Sequence, residues 1–107
     1  MSWDIEISDI AQDDLREIHS YIASELHSPD DARRIIRTIL QEIWTLNEMP
    51  ERFRSYSRGA LASRGVRVMD VGNFRVYYLP ENGVVSVVRI LYYRRDADAA
   101  LTVTRRV

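Results

Sequence analysis

The segment WDIEIS, residues 3–8, alternates: Trp3, Ile5 and Ile7 fall on one side, Asp4 and Glu6 on the other. Period two predicts a half-buried strand. The spacing then changes. Ala11, Leu15, Ile18, Ile22 and Leu26 recur at helical intervals and, at 100° per residue, fall within about 80° of arc. Ser8 or Asp9 can cap this helix, and acids in its first turn suit the helix dipole. SPDDA at 28–32 restarts the pattern: Ser28 as cap, Pro29 at the first helical position, Asp30 and Asp31 in the first turn. Ala32, Ile35, Ile36, Ile39, Leu40, Ile43 and Leu46 form the second stripe, and Pro50 closes it. Two such helices with a short link read as an αα-hairpin.

Residues 50–65 carry no period and predict a loop, with a short strand within it as the alternative. Three extended runs follow: VRVMDV, FRVYYL and VVSVVRILYY. Asn82-Gly83, between the last two, is a strong hairpin signal. The last run is apolar on both faces, which places it centrally in a sheet. DADAAL at 96–101 predicts one helical turn. The order β-α-α-β-β-β predicts an α+β fold in one domain over 1–107: an N-terminal strand, an αα-hairpin, then an antiparallel sheet of about four strands with the helices packed on one face. A two-residue turn at Asn82-Gly83 sets the hairpin register. It puts Arg75 opposite Ile90, on the side of Tyr77, Val88 and Tyr92, and Arg89 opposite Val76. The side bearing Arg75 is the less apolar and is assigned to the open face.

Composition narrows the chemistry. Cysteine is absent, which excludes disulfides and thiolate chemistry. No apolar run approaches a membrane span, and MSWDIEIS has no signal-peptide pattern, so a cytoplasmic location without membrane contact is expected. His19 and His27 lie apart on the first helix without zinc-ligand spacing. Asp13-Asp14 and Asp30-Asp31 read as first-turn acids, because helix neighbours face different ways. Phosphate-loop, nucleophile-elbow and metalloprotease motifs are missing. No cofactor and no metal is implied.

Arginine carries what remains. All fifteen basic residues are Arg. Residues 1–51 hold four arginines against twelve acids, a charge of −8; residues 52–107 hold eleven against four, +7. If the two halves occupy different faces, one surface is cationic and suits phosphates or an acidic partner. Arg67, Arg75 and Arg89 lie within strands, and Arg94 and Arg95 close the last one. On a regular strand Arg95 does not share the face of Arg75; it joins that face if the strand ends or bulges near Tyr93. Arg54, Arg58, Arg64 and Arg94, with Tyr92 and Tyr93, are candidate nucleic-acid contacts. Trp44, about 120° from the centre of the second stripe, is either a docking residue or core-edge packing.

VGNFRVYY and VVRILYYRRD, together with the helix pieces AQDDLREIHSYIASEL and SPDDARRIIRTILQEIWTLNEMPE, resemble the RelE/ParE superfamily, the toxins of type II toxin–antitoxin pairs. The resemblance covers nearly the whole chain and implies two possible activities. RelE-like members cut mRNA in the ribosomal decoding site without a metal, the 2′-hydroxyl attacking the adjacent phosphate while cations stabilise the developing charge. ParE-like members inhibit DNA gyrase. Carried over by position, Arg75 matches a phosphate-stabilising arginine and Arg95 a second one, acting as acid or charge stabiliser. Arg67 lies one position out of register with lysines of RelE-like members. There is no lysine here to act as a base, and Leu101 stands where those members carry a tyrosine, leaving Tyr92 or Tyr93 as substitutes. The long helical hairpin looks more like ParE. The expected activity is ribosome-dependent mRNA cleavage, with gyrase inhibition or an inactive antitoxin-binding module as alternatives. Each implies a small acidic antitoxin from an adjacent gene and a toxin–antitoxin hetero-oligomer.

Overall fold

The computed structural model describes residues 2–57 and 64–95. Strand β1 (Asp4–Ile7) runs into helix α1 (Asp9–Ser20). Ser8 makes that junction: its backbone is extended and its Oγ accepts from the Ala11 N–H at 3.0 Å. One π turn, Tyr21–Glu25, continues α1. The Leu26 N–H reaches back five residues to the Tyr21 carbonyl at 3.2 Å. This wider turn rotates later positions off the apolar stripe. Ala11 and Ile22, on the stripe before that rotation takes effect, are buried, whereas Leu26, expected in the core, is 55% exposed.

His27, at φ +52°, reverses the chain into α2 (Pro29–Trp44). Pro29 takes the first helical position as expected. Ser28 does not cap the backbone; its hydroxyl donates to Asp31 Oδ2 at 2.6 Å. The helix stops at Trp44, before Pro50, and passes into a 3₁₀ turn at Thr45–Asn47. Arg52, in a second 3₁₀ turn (Pro50–Arg52), donates to the carbonyls of Thr45, Glu48 and Met49 in the segment that follows α2.

Strands β2 (Arg67–Val71), β3 (Phe74–Glu81) and β4 (Val84–Tyr92) complete a four-stranded sheet of order β1-β4-β3-β2. The doubly apolar β4 is central, as its composition requires. The sheet is mixed, however, because β1 pairs parallel to β4. An all-antiparallel sheet was the expectation. The helices and the long segment before β2 together form a crossover, which permits parallel pairing. The fold class stands: α+β, with the main core between helices and sheet, where Ile39, Ile43 and Leu46 meet Met69, Val76, Tyr78, Val87 and Ile90. A smaller cluster of Tyr56, Val66, Val68, Tyr77 and Leu91 lies on the other face. That face, expected open, is thus partly covered by the segment around Tyr56, whose ring meets Tyr77 edge-on at 5.6 Å. Among the described residues no helix is long and apolar enough to cross a membrane.

The hairpin register holds from Glu81↔Val84 to Tyr78↔Val87 and then shifts, with Val88 as the extra residue of a bulge. Arg75 consequently faces Leu91, and Arg89 faces Tyr77. The shift has an identifiable partner. β1 has ended at Ile7, so the outer edge of β4 beyond Val88 lacks a neighbouring strand. Asp14 fills the gap: it accepts from Arg89 Nε and NH2, both at 2.8 Å, and from the Ile90 N–H at 2.9 Å. Asp14 is not the surface acid its position suggested; it is 4% exposed and Arg89 is 7% exposed. Removing one partner unbalances a buried charge. Asp14→Ala should lose about 3–5 kcal/mol by urea unfolding, whereas the paired replacement Asp14→Leu with Arg89→Met should recover most of that loss.

A second polar contact crosses the main core. The fully buried Tyr78 hydroxyl donates to the Pro50 carbonyl at 2.5 Å. Burial pushes its pKa from 10.0 up to about 12, and the guanidinium groups of Arg67 and Arg52 only partly oppose this. The folded state holds that proton more tightly than the unfolded chain does. Stability should therefore fall as pH rises from about 10 towards 12, and Tyr78→Phe should flatten that slope while costing about 1–3 kcal/mol for the unpaired carbonyl. Denaturation midpoints measured across that pH range check both.

Candidate functional site

The face opposite the helices carries a charged cluster built by cross-strand register. Asp70 on β2 lies opposite Arg75 on β3. Arg75 Nε donates to Asp70 Oδ1 at 3.1 Å. Arg54, from the segment antiparallel to β2, approaches the same carboxylate with NH1 at 3.2 Å from Oδ2 and NH2 at 3.5 Å from Oδ1. Arg75 shares its strand face with Tyr77, whose side chain belongs to the smaller core. Period two makes this sharing necessary, and it places a guanidinium beside a rigid apolar floor.

Arg67 stands differently. It is two residues from Met69 and four from Val71, both in the main core, so its side chain leaves the opposite face from Arg75. Its NH1 donates to the carbonyls of Glu51 at 3.0 Å and Phe53 at 2.7 Å. It ties the chain after α2 to the sheet.

The second region is a cleft of about 860 Å³ between the helices and the end of β4. Ile18, Ile22, Leu26 and Ile35 line its helix side, and Phe74, Ile90 and Tyr92 its sheet side. Glu17, Asp31, Arg34 and Arg95 add charge of both signs. The Ser28 hydroxyl, and then the Arg34 guanidinium, hold the Asp31 carboxyl below the usual carboxylate range. Tyr21 and Tyr92 border the cleft and are 58% and 44% exposed.

β4 ends in a turn. The Tyr93 N–H bonds the Asn73 carbonyl and the Arg95 N–H the Tyr92 carbonyl, both at 2.9 Å. Aromatic rings step outward along this end: Phe74 to Tyr92 at 5.9 Å, then Tyr92 to Tyr93 at 5.0 Å. The Arg94 guanidinium lies 5.3 Å from the Tyr93 ring centre, and its Nε donates to the Tyr93 hydroxyl at 2.8 Å.

The arginines chosen from sequence thus share one sheet but not one surface. Arg54 and Arg75 come together across Asp70. Arg94, Tyr92 and Tyr93 cluster at the strand end. Arg95 borders the helix-side cleft, which Arg75 does not line. The strand does end before Arg95, yet the bulge at Val88 has already moved Tyr92 to the helix side. Arg64 is exposed. Arg58, Leu101 and the turn expected at 96–101 lie outside the described residues. Trp44 is 58% exposed, which removes core-edge packing as its role. Sequence reasoning missed Asp70 and Asp14. The signal for Asp70 was present: it is the solvent-parity acid in the otherwise apolar run VMDV.

Comparison with known proteins places this geometry. The family model described as the ParE toxin of the type II toxin–antitoxin system parDE matches residues 5–97. Among solved structures, the chromosomal ParDE toxin–antitoxin system of P. aeruginosa is similar with a TM-score of 0.72 at 16% identity, covering 85% of this chain and 96% of that one. The toxin–antitoxin complex RelBE2 of Mycobacterium tuberculosis gives 0.65 at 18% identity over 86% and 99%. A mutant of E. coli toxin RelE in the free state gives 0.68 at 14% over 100% of both chains. No curated protein matches the sequence. With the family model spanning most of the chain and the same fold in all three structures, the protein belongs to the ParE toxin family of type II toxin–antitoxin systems, within the RelE/ParE superfamily.

Proposed function

We propose that this toxin arrests growth by binding its target without cutting it, as the ParE-like branch of the superfamily does, and that the target is DNA gyrase. One observation carries the reading: the three arginines that RNA cleavage would need around a single phosphate are dispersed. Arg75 pairs with Asp70, Arg67 leaves the other face to hold the Glu51 and Phe53 carbonyls, and Arg95 borders the cleft. Stabilising a pentacoordinate phosphate requires donors roughly 3 Å from one set of oxygens. The absence of lysine removes the base of RelE-like members as well. Ribosome-dependent cleavage is the second reading, favoured by Arg75 on an accessible sheet face.

The partner that neutralises the toxin is, in this reading, a small antitoxin that lays an apolar segment into the helix–sheet cleft. Tyr21, Leu26 and Tyr92 offer apolar surface there that the fold itself leaves uncovered, as an interface anchor does.

Two measurements test these points. Purified toxin should block supercoiling by gyrase and accumulate gyrase–DNA cleavage complexes, while primer extension on message from arrested cells shows no cuts. Cuts inside translated codons with normal supercoiling would transfer the protein to the RNA-cleaving reading. Leu26→Asp with Tyr92→Asp, two exposed positions, should leave the unfolding midpoint nearly unchanged and weaken binding of the neighbouring gene's product roughly 100-fold or more in calorimetry, on the scale of two interface anchors of about 2 kcal/mol each.

A further inference from the structure

We infer that the outer stripe of α2, which carries Arg37, Leu40 and Trp44, docks a second copy of this chain, antiparallel and about a two-fold axis. The toxin then self-associates through a surface separate from the cleft. The inference goes beyond the proposed activity and does not depend on which target the toxin arrests.

α2 has two flanks beside its buried stripe of Ala32, Ile39 and Ile43. One flank carries Asp31, Arg34 and Ile35 and lines the cleft. The other carries Arg37, Leu40 and Trp44, spaced three and four apart and within about 60° of arc at 100° per residue. Leu40 is partly buried against the core, but Trp44 is 58% exposed, and Met49, just after the helix, is 75% exposed. None of these three lines the cleft. An exposed indole of this kind is what an interface anchor is made of.

The charges select the occupant. α2 places Arg33, Arg34 and Arg37 in its first half and Glu42 in its last turn, with Glu48 and Glu51 just beyond. The helix dipole favours the reverse order. Arg33 and Arg34 pair with Asp30 and Asp31, but Arg37 and the Glu48 carboxylate have no partner among the described residues. Spacing denies them one within the helix. Arg37 has Leu40 and Gln41 three and four residues on, and Glu48 has Thr45 and Trp44 three and four residues back. The one arginine of α1, Arg16, is already paired with Asp13. A second α2 running the other way supplies both missing partners. With the two-fold axis midway between Leu40 and Trp44, Trp44 covers Leu40 of the second copy and Arg37 comes beside its Glu48. A parallel pair would set Arg37 against Arg37. The patch is therefore self-complementary, as a closed symmetric dimer requires. One helix per copy makes a small interface, so the association is weak and concentration-dependent.

The experiment is sedimentation velocity of the full-length toxin over a concentration series. The weight-average mass should rise with concentration from the 12.5 kDa of one chain towards twice that value. Trp44→Asp removes an anchor that enters the interface twice and should weaken association about 100-fold or more. Arg37→Glu and Glu48→Arg should each weaken it about tenfold. Together they should restore it to within about threefold of the wild type, because the reversed charges still meet across the axis. All three positions are exposed, so the unfolding midpoint should stay nearly unchanged in each variant. A single 12.5 kDa species at every concentration would overturn the inference. Association that Trp44→Asp leaves intact would move the contact to another surface and overturn it as well. Failure of the double charge reversal to rescue would overturn the antiparallel arrangement. Leu26→Asp with Tyr92→Asp should leave self-association unchanged; its loss in that variant would place the contact in the cleft and overturn the choice of surface. None of these outcomes bears on the gyrase assay.

Discussion

Asp14 and Arg89 are 75 residues apart in sequence and meet between the first helix and the last strand, both almost fully buried. Two charges taken out of water would destabilise the fold unless each is answered. Here the carboxylate receives two guanidinium donors and a backbone N–H. Among the described residues no buried side-chain nitrogen or oxygen lacks a partner. The pair joins α1 to the end of β4, where β1 has run out and the strand would otherwise show an open edge. Tyr92, Tyr93, Arg94 and Arg95 all follow within six residues of that joint, so their placement depends on it.

The same joint separates two surfaces. On the helix side it backs the cleft, since Asp14 and Ile90 both line it. On the other side the bulge at Val88 delivers Leu91 beneath Arg75. One extra residue therefore decides which side chains border the helices and which join the Arg54–Asp70–Arg75 cluster. The charge asymmetry between the halves of the chain becomes spatial in a limited sense. Helix acids and arginines pair with each other at three-residue spacing, as Asp31 does with Arg34, while the described arginines of the second half are dispersed: Arg54 and Arg75 on the sheet face, Arg94 and Arg95 at the strand end, Arg52 and Arg67 at the seam below α2, and Arg89 buried against α1.

Arginine also does structural work that composition conceals. Arg52 gathers three carbonyls of the segment just after the second helix, Arg67 pins the chain that follows to β2, and Arg89 is buried. Each takes its place because a planar, permanently charged fork can satisfy several acceptors at once. Counting these residues as a binding surface overstates the positive charge available to a ligand.

Much of this was legible in the sequence, for local reasons. The alternation of Trp3, Ile5 and Ile7, the stripe through Ile39 and Ile43, the Asn82-Gly83 turn and the doubly apolar last strand each encode their own element, and together they imply helices on one face of a sheet with β4 inside it. What the tertiary structure alone decided is how those elements meet: the parallel pairing of β1, the bulge at Val88, the burial of Asp14, the exposure of Leu26 after the π turn and the separation of Arg75 from Arg95. The reason is physical. Periodicity reports which face of one element is apolar, but register, parity beyond a bulge and the partner of a buried charge are set by contacts between residues far apart in the chain, and no short window of sequence contains both.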